Sequence, residues 1–195
     1  MVELVTIKRN QGYLRQRSME VDLNDAQLQE NIEDLKEYTM GNKVYAMAAV
    51  QLGIPKRILF IKSLSPSGAA NEEDERICMI NPKVVAMKGK TEFWEACQSC
   101  LGYFGLVERP YMLEVEYIDE KGEKRRQKFE GFVSTVISHE LDHFDGIFHM
   151  DRAKEIITES DENFEETKKQ IRASGYKILS QNCEFSYPEI EKKIW

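Results

Sequence analysis

Hydrophobic residues recur at helical spacing near the start of the chain. Leu28, Ile32 and Leu35 follow this spacing and predict a helix over residues 23–40. Asn24 stands where a capping side chain is expected, because its oxygen could accept a hydrogen bond from a backbone N–H group in the first turn. The pattern therefore places a helix before the strands of the chain.

Short runs rich in β-branched and aromatic residues predict strands in the middle of the chain. They cover residues 57–62, 77–85, 87–94 and 112–118. The last run alternates apolar with acidic residues, and a polar segment follows the turn residues 119–123, so a hairpin is expected there. Residues 64–74 are polar and predict a loop.

The most apolar helix is predicted over residues 132–144. It is apolar nearly all round, which is typical of a helix in the interior of a protein. Val136, His139 and His143 share one face of it. Buried polar groups need partners, so the two histidines are expected to face something specific.

The order of these elements predicts an α+β fold. Antiparallel sheets are expected to pack around a central buried helix, in a single domain over residues 1–195. Residues 161–175 predict a further helix, weakly amphipathic and mostly exposed, in the C-terminal part of the chain.

The central helix carries an H-E-x-x-H motif at residues 139–143. Residues four apart on a helix project to the same side, so His139 and His143 can hold one metal ion. Glu140 lies about 100° round the helix from His139 and can reach a water on that metal without binding the metal itself. All three histidines of the chain fall between residues 139 and 149, which argues against a chance arrangement.

Composition narrows the functional classes. The net charge of −7 argues against wholesale binding to nucleic acids or membranes, and no apolar run is long enough to span a bilayer. Four cysteines in 195 residues do not make a disulfide framework, so a reducing compartment is expected. The expected location is cytoplasmic, with an organelle as the alternative.

A catalytic metal site needs a third protein ligand, and two residues are candidates. His149 completes an H-E-x-x-H-x-x-G-x-x-H pattern, which is typical of metzincin proteases. Those proteins also place a methionine turn downstream of the motif, whereas the last methionine here is Met150, next to His149. Cys97 is the second candidate. Its neighbour Glu95 is expected to orient a ligand, and Arg109 is expected to be a structural ion-pair partner.

Three segments resemble the peptide deformylase family. Residues 44–51, 95–99 and 138–143 are similar, in that order, to its G-x-G-x-A-A-x-Q, E-G-C-x-S and Q-H-E-x-D-H segments. Weaker likenesses extend the resemblance over about residues 4–152, which leaves residues 153–195 as a C-terminal extension expected to be partly helical. The resemblance favours Cys97 over His149 as the third ligand.

The resemblance implies a hydrolase that removes the formyl group from N-formylmethionyl peptides of newly made proteins. Cys97, His139 and His143 would bind one divalent metal ion, with iron(II) expected first and zinc, nickel or cobalt as alternatives. Glu140 would be the general base towards the metal-bound hydroxide. The nascent peptide is the expected partner and the ribosome a further candidate.

The resemblance also implies roles for residues around the metal. The side chain of Gln51 and the backbone N–H of Gln98 would donate hydrogen bonds to the oxyanion. Ala46, Ala96 and Val136 are expected to contact the substrate. The family has glycine at the first two of these positions and at Val44, so this chain departs from it beside the substrate.

These departures keep three alternatives open. The chain could be a divergent deformylase with another substrate, a protein that only binds N-termini, or a metalloendopeptidase. Glu140 and Gln51 favour an enzyme, since a silent binding protein has no chemical need for either residue.

Overall fold

The computed structural model describes residues 2–62 and 76–195. Its helices are α1 (Ile7–Leu14), α2 (Leu28–Gly41), α3 (Phe132–Phe144), α4 (His149–Arg152) and α5 (Phe164–Ser174). Its strands are β1 (Ala46–Ala48), β2 (Ile58–Ile61), β3 (Ile77–Glu95), β4 (Tyr103–Arg109), β5 (Met112–Ile118), β6 (Lys124–Glu130), β7 (Glu155–Thr158) and β8 (Lys177–Glu184). Two short 3₁₀ helices cover Ala49–Leu52 and Gln98–Cys100. The loop predicted over residues 64–74 lies outside the described residues.

The long strand β3 organises the sheet. Its first part pairs with β2 and β5, and its second part pairs with β4 and β8. Strands β1, β6 and β7 extend the sheet from β2, β5 and β4. These pairings are antiparallel, so the predicted α+β class with an antiparallel sheet is confirmed.

Two boundaries differ from the prediction. Helix α2 starts at Leu28, and Asn24 does not cap it. The carboxylate of Asp22 accepts a hydrogen bond from the backbone N–H of Asn24, and that of Asp25 accepts one from Gln27. These local bonds favour turns over a helix, so the predicted start at residue 23 is wrong.

The second difference concerns the strands predicted over residues 77–85 and 87–94, which form one continuous strand, β3. The break that the pattern indicates at Ala86 is a shift in register against β5, between Val84 and Ala86. A bulge of this kind bends a strand without ending it. The hairpin of β5 and β6 and the helix α5 agree with the prediction.

Helix α3 follows the hairpin and packs against β1, β2, β4 and β6. Nine of its thirteen residues are buried. Ile137 and Phe144 are fully enclosed in a hydrophobic cluster with side chains of the sheet. The helix ends where Gly146 takes a positive φ of 64°; a Cβ there would lie 2.2 Å from the backbone oxygen of Arg15. Glycine is needed at this position because a larger residue would collide with the N-terminal segment.

Within residues 2–62 and 76–195, no helix combines the length and apolar composition that crossing a bilayer would require.

Candidate active site

Two elements bring the predicted ligand atoms together. Helix α3 supplies His139 and His143, one turn apart, with their ring centroids at 5.1 Å. Cys97 lies just beyond β3, and its Sγ is 3.3 Å from Nε2 of His143. One ligand atom from each of the three residues lies within 4.8 Å of the others. The group is largely enclosed by protein, so its donors converge on a small volume away from bulk water.

Buried charges orient His139. Its Nδ1 is 2.8 Å from Oε2 of Glu95, so Nδ1–H donates to the carboxylate and Nε2 is left for other contacts. Arg109 donates to both oxygens of Glu95, at 2.8 and 2.9 Å. Burial opposes ionisation of Glu95, but the charge of Arg109 prevails and holds the pKa of this carboxyl well below its usual range. The prediction that Arg109 is a structural ion-pair partner is confirmed, and Glu95 makes the contact with His139 that its predicted role requires.

Asp142 completes this charged group. Arg109 donates from Nη1 to its carboxylate, and Arg152 donates to both of its oxygens at 2.7 Å. Asp142 is the residue before His143, so the pairs Glu95–His139 and Asp142–Arg109 hold both ends of the H-E-x-x-H motif. The sequence offers one signal for Asp142, which is its place inside the motif.

Gln51 and Glu140 share one backbone donor. The N–H of Ala48 donates to Oε1 of Gln51 and to Oε2 of Glu140, each at 3.0 Å. The amide nitrogen of Gln51 lies 3.4 Å from Sγ of Cys97 and donates to Oγ of Ser99 at 3.2 Å. Burial raises the pKa of Glu140. A carboxylate with a raised pKa is better suited to accept a proton near neutral pH.

A cavity of about 460 Å³ opens beside these groups. Its walls include the predicted residues Gln51, Ala46, Ala96, Cys97, Gln98, Val136, His139 and Glu140. The lining is mainly apolar, with Phe93, Phe132 and Leu101 also contributing. A mostly apolar cavity with a few convergent polar groups is typical of a binding site.

The side chain of Gln98 contacts Tyr38, since its Oε1 accepts a hydrogen bond from the tyrosine hydroxyl at 3.4 Å. Tyr38 and Ser99 were not predicted as part of the site. Their contacts join residues 60 and 48 positions apart, and only Ser99 has a signal in the sequence, as the last residue of the motif segment at residues 95–99.

His149 is placed differently from Cys97. It is 1% exposed and stacks against His139 with a centroid distance of 5.7 Å. Neither of its ring nitrogens has a hydrogen-bond partner among the described residues. Burial lowers its pKa to about 3, so its ring is neutral. Gly105 leaves room for the ring, since a Cβ there would lie 3.1 Å from Cδ2 of His149.

The model of the polypeptide deformylase family matches residues 1–159. The chain belongs to this family. A peptide deformylase of Rhizobium meliloti is 34% identical over 139 residues, covering 71% of this chain and 78% of the relative. One from Finegoldia magna is 32% identical over 160 residues, covering 82% and 94%. A class I type b peptide deformylase of Acinetobacter baumannii, solved with Met-Ala-Ser bound, shares the fold at a TM-score of 0.69. That structure is 25% identical and covers 78% of this chain and 98% of its own.

Membership makes the chain a hydrolase of the deformylase type, which removes formyl groups from N-formylmethionyl peptides. The family is one of metalloenzymes, and the cluster of Cys97, His139 and His143 could hold the metal ion. Residues 160–195 lie beyond the family match.

Proposed function

We propose that this deformylase binds one divalent metal ion through Cys97, His139 and His143 and uses Glu140 as its general base. The convergence of the three ligand atoms within 4.8 Å, beside a cavity that Glu140 also lines, supports the proposal most strongly. The H-E-x-x-H helix α3 is then the catalytic element of the fold.

The donor set fits such an ion. A thiolate with two imidazoles suits iron(II), zinc, nickel or cobalt better than magnesium or calcium, which prefer oxygen ligands. The hydrogen bond from Nδ1 of His139 to Glu95 fixes the ring so that Nε2 faces the cluster. A divalent ion bound there would supply an acidified water and Lewis-acid polarisation of the formyl group.

Glu140 moves the proton. Its Oε2 accepts a hydrogen bond from the N–H of Ala48, which restrains the carboxylate at the cavity wall. The carboxylate accepts a proton from the water molecule that attacks the formyl carbon. It then delivers this proton to the nitrogen of the leaving amine. The raised pKa of Glu140 favours the first step, because a more basic carboxylate accepts a proton more readily.

Gln51 stabilises the charge that develops on the formyl oxygen. Its amide nitrogen already lies 3.4 Å from Sγ of Cys97, so its N–H groups point to the reacting centre. The backbone N–H of Gln98 would be the second donor. One such donor contributes about 3 kcal/mol to transition-state stabilisation.

The apolar cavity would hold the methionine side chain. Ala46, Ala96 and Val136 lie in its wall and leave space for a flexible thioether. The Acinetobacter baumannii relative was solved with Met-Ala-Ser, a peptide that begins with methionine. We propose that the present chain likewise binds peptides that begin with methionine. Nascent peptides are then its substrates, and the ribosome is a candidate partner.

We also propose that residues 1–195 form one domain in the cytoplasm. Strand β8 of the C-terminal extension joins the same sheet as the family-matched strands, so the two parts share backbone hydrogen bonds.

The experiment is formate release from formyl-Met-Ala-Ser after anaerobic loading with iron(II). Acetyl-Met-Ala-Ser serves as the matched substrate control, and Glu140→Gln as the matched variant, since it keeps the size of the side chain. We expect the variant to retain metal but lose about 10³-fold in kcat. Equal rates for parent and variant, or no formate from a fully loaded parent, would contradict the proposal.

A further inference from the structure

The C-terminal extension reaches the charged group behind the ligand histidine. Strand β8 pairs with β3 between Lys88–Glu184 and Glu92–Lys177, which carries the following residues over the sheet towards Arg109. Tyr187 then lies against this arginine, whose Nη1 donates to the phenol oxygen at 3.4 Å. A residue outside the family match therefore contacts the partner of Glu95.

The ring of Tyr187 makes a second contact. The guanidinium carbon of Arg152 lies 3.8 Å from the ring centroid, which is a close cation–π contact. Arg152 and Arg109 both donate to Asp142. Tyr187 thus touches the two cations that hold the carboxylate next to His143. Phe185 packs edge-on against Tyr187 at 4.9 Å and restricts its ring.

Tyr187 also lies close to Ser138, the residue before His139, whose hydroxyl donates to the backbone oxygen of Ser134 at 2.8 Å. Arg109 itself is 0% exposed. Exclusion of water strengthens the interaction of Arg109 with Glu95, because a buried ion pair is screened less than an exposed one.

We propose that Tyr187 is a positioning residue, which holds His139 in its ligand orientation through Arg109 and Glu95. The inference rests on the proposed role of His139 as a metal ligand. Tyr187 touches neither substrate nor ligand atoms. Its hydroxyl restrains Arg109, Arg109 binds both oxygens of Glu95, and Glu95 accepts from Nδ1 of His139.

The test compares Tyr187→Ala and Tyr187→Phe with the parent, all as full chains loaded with zinc. Cys183→Ser is the matched control, since Cys183 is an exposed residue of the same extension. With ¹⁵N-labelled histidine, the chain gives three ring spin systems, and the Nδ1 resonance of His139 reports its bond to Glu95. Zinc affinity is measured by competition with a chromophoric chelator.

We expect Tyr187→Ala to shift the Nδ1 resonance of His139 and to weaken zinc binding roughly fivefold to tenfold, at the low end of effects for residues behind a metal ligand. Tyr187→Phe keeps the ring on Arg152 and should give about a twofold loss. In deformylation, kcat should fall while KM stays unchanged, because Tyr187 is absent from the lining of the substrate cavity.

An unchanged His139 resonance in Tyr187→Ala, with zinc affinity within about twofold of the parent, would overturn the inference, even if this variant were less stable. Should Tyr187→Ala fail to fold, Tyr187→Phe decides by the same resonance. If the parent itself binds zinc without perturbing His139 and His143, the proposed function fails, and the variants are not needed to show it.

Discussion

Helix α3 and strand β8 are held in the molecule by different means. Nine residues of α3 are buried, whereas β8 has no buried residue and only Ser180 is partly covered. Helix α5, which precedes β8, buries Phe164 alone. The family-matched part is therefore held by apolar burial. The extension is held by backbone pairing and a few specific side-chain contacts, so single residues should matter more there for where it docks than for whether the protein folds.

The largest effect is expected at Arg109, inside the family-matched part. Replacing it by methionine leaves the carboxylates of Glu95 and Asp142 buried without their shared cation. We expect the free energy of unfolding to fall by about 3–5 kcal/mol, measured by urea denaturation.

The matched control is Arg126→Met, because Arg126 pairs with Glu114 on the exposed face of the β5–β6 hairpin. It should leave stability nearly unchanged, since exposed ion pairs contribute little. A similar fall in the free energy of unfolding in both variants would show that burial does not make Arg109 more important for stability than Arg126.

The next effect concerns catalysis. Gln51→Ala removes a proposed side-chain donor to the oxyanion, and we expect kcat to fall about 10²- to 10³-fold. Gln98→Ala is the control, because its proposed donor is the backbone N–H and alanine retains it. Formate release at saturating peptide measures both. A loss in Gln98→Ala as large as that in Gln51→Ala would contradict the assignment of the two donors.

A smaller effect is expected at the end of the extension. Trp195 packs on Tyr103 at a centroid distance of 5.9 Å, and its indole N–H donates to Asp151 at 3.1 Å. Trp195→Ala should reduce the free energy of unfolding by about 2 kcal/mol, through lost burial and one hydrogen bond.

Zinc affinity and the His139 resonance should not change in Trp195→Ala, because none of its contacts reaches the Arg109–Glu95 pair. If zinc affinity and the His139 resonance changed as much in Trp195→Ala as in Tyr187→Ala, the whole extension, rather than Tyr187, would orient His139.

The smallest effect is a dependence on pH at Asp151. Burial raises the pKa of this carboxyl, but hydrogen bonds from Arg15, the N–H of Phe148 and the indole of Trp195 outweigh it and hold the pKa below its usual value. Stabilisation by such a group is fully present above the unfolded pKa of about 4 and is lost as the pH falls through the lower folded value.

Asp151→Asn should therefore destabilise the protein by roughly 1 kcal/mol at pH 7, and the difference from the parent should shrink only below about pH 4. Unfolding by urea at a series of pH values measures this. A difference that persists at pH 2 would show that the charge of Asp151 is not what stabilises the contact.

Elements with a strong apolar pattern could be predicted from the sequence. Helix α3 and strand β5 agree with their predicted bounds, since each has a strong apolar pattern and is largely buried. Strand β8 was not predicted, because its residues are polar or exposed and carry no alternation. Its pairing depends on the edge that β3 offers, where Gly89 lets the two backbones approach closely.

Helix α1 was also not predicted. It buries only Ile7 and Leu14 and is interrupted by a non-helical residue at Asn10, so its apolar spacing is weak. Strands β4 and β7 were not predicted either; β4 pairs with β3, and β7 pairs with β4.

The sequence by itself determined which residues are candidates for the chemistry. The H-E-x-x-H spacing and the order of the three motif segments indicated Cys97, Glu140 and Gln51. Spacing along a helix is a local property and survives in the sequence. Only the tertiary structure decided that Sγ of Cys97 lies 3.3 Å from His143, while His149 stays outside the ligand group. It alone showed that Tyr187 contacts Arg109 from 78 residues away. Contacts of that range depend on how strands and helices pack, which no local pattern records.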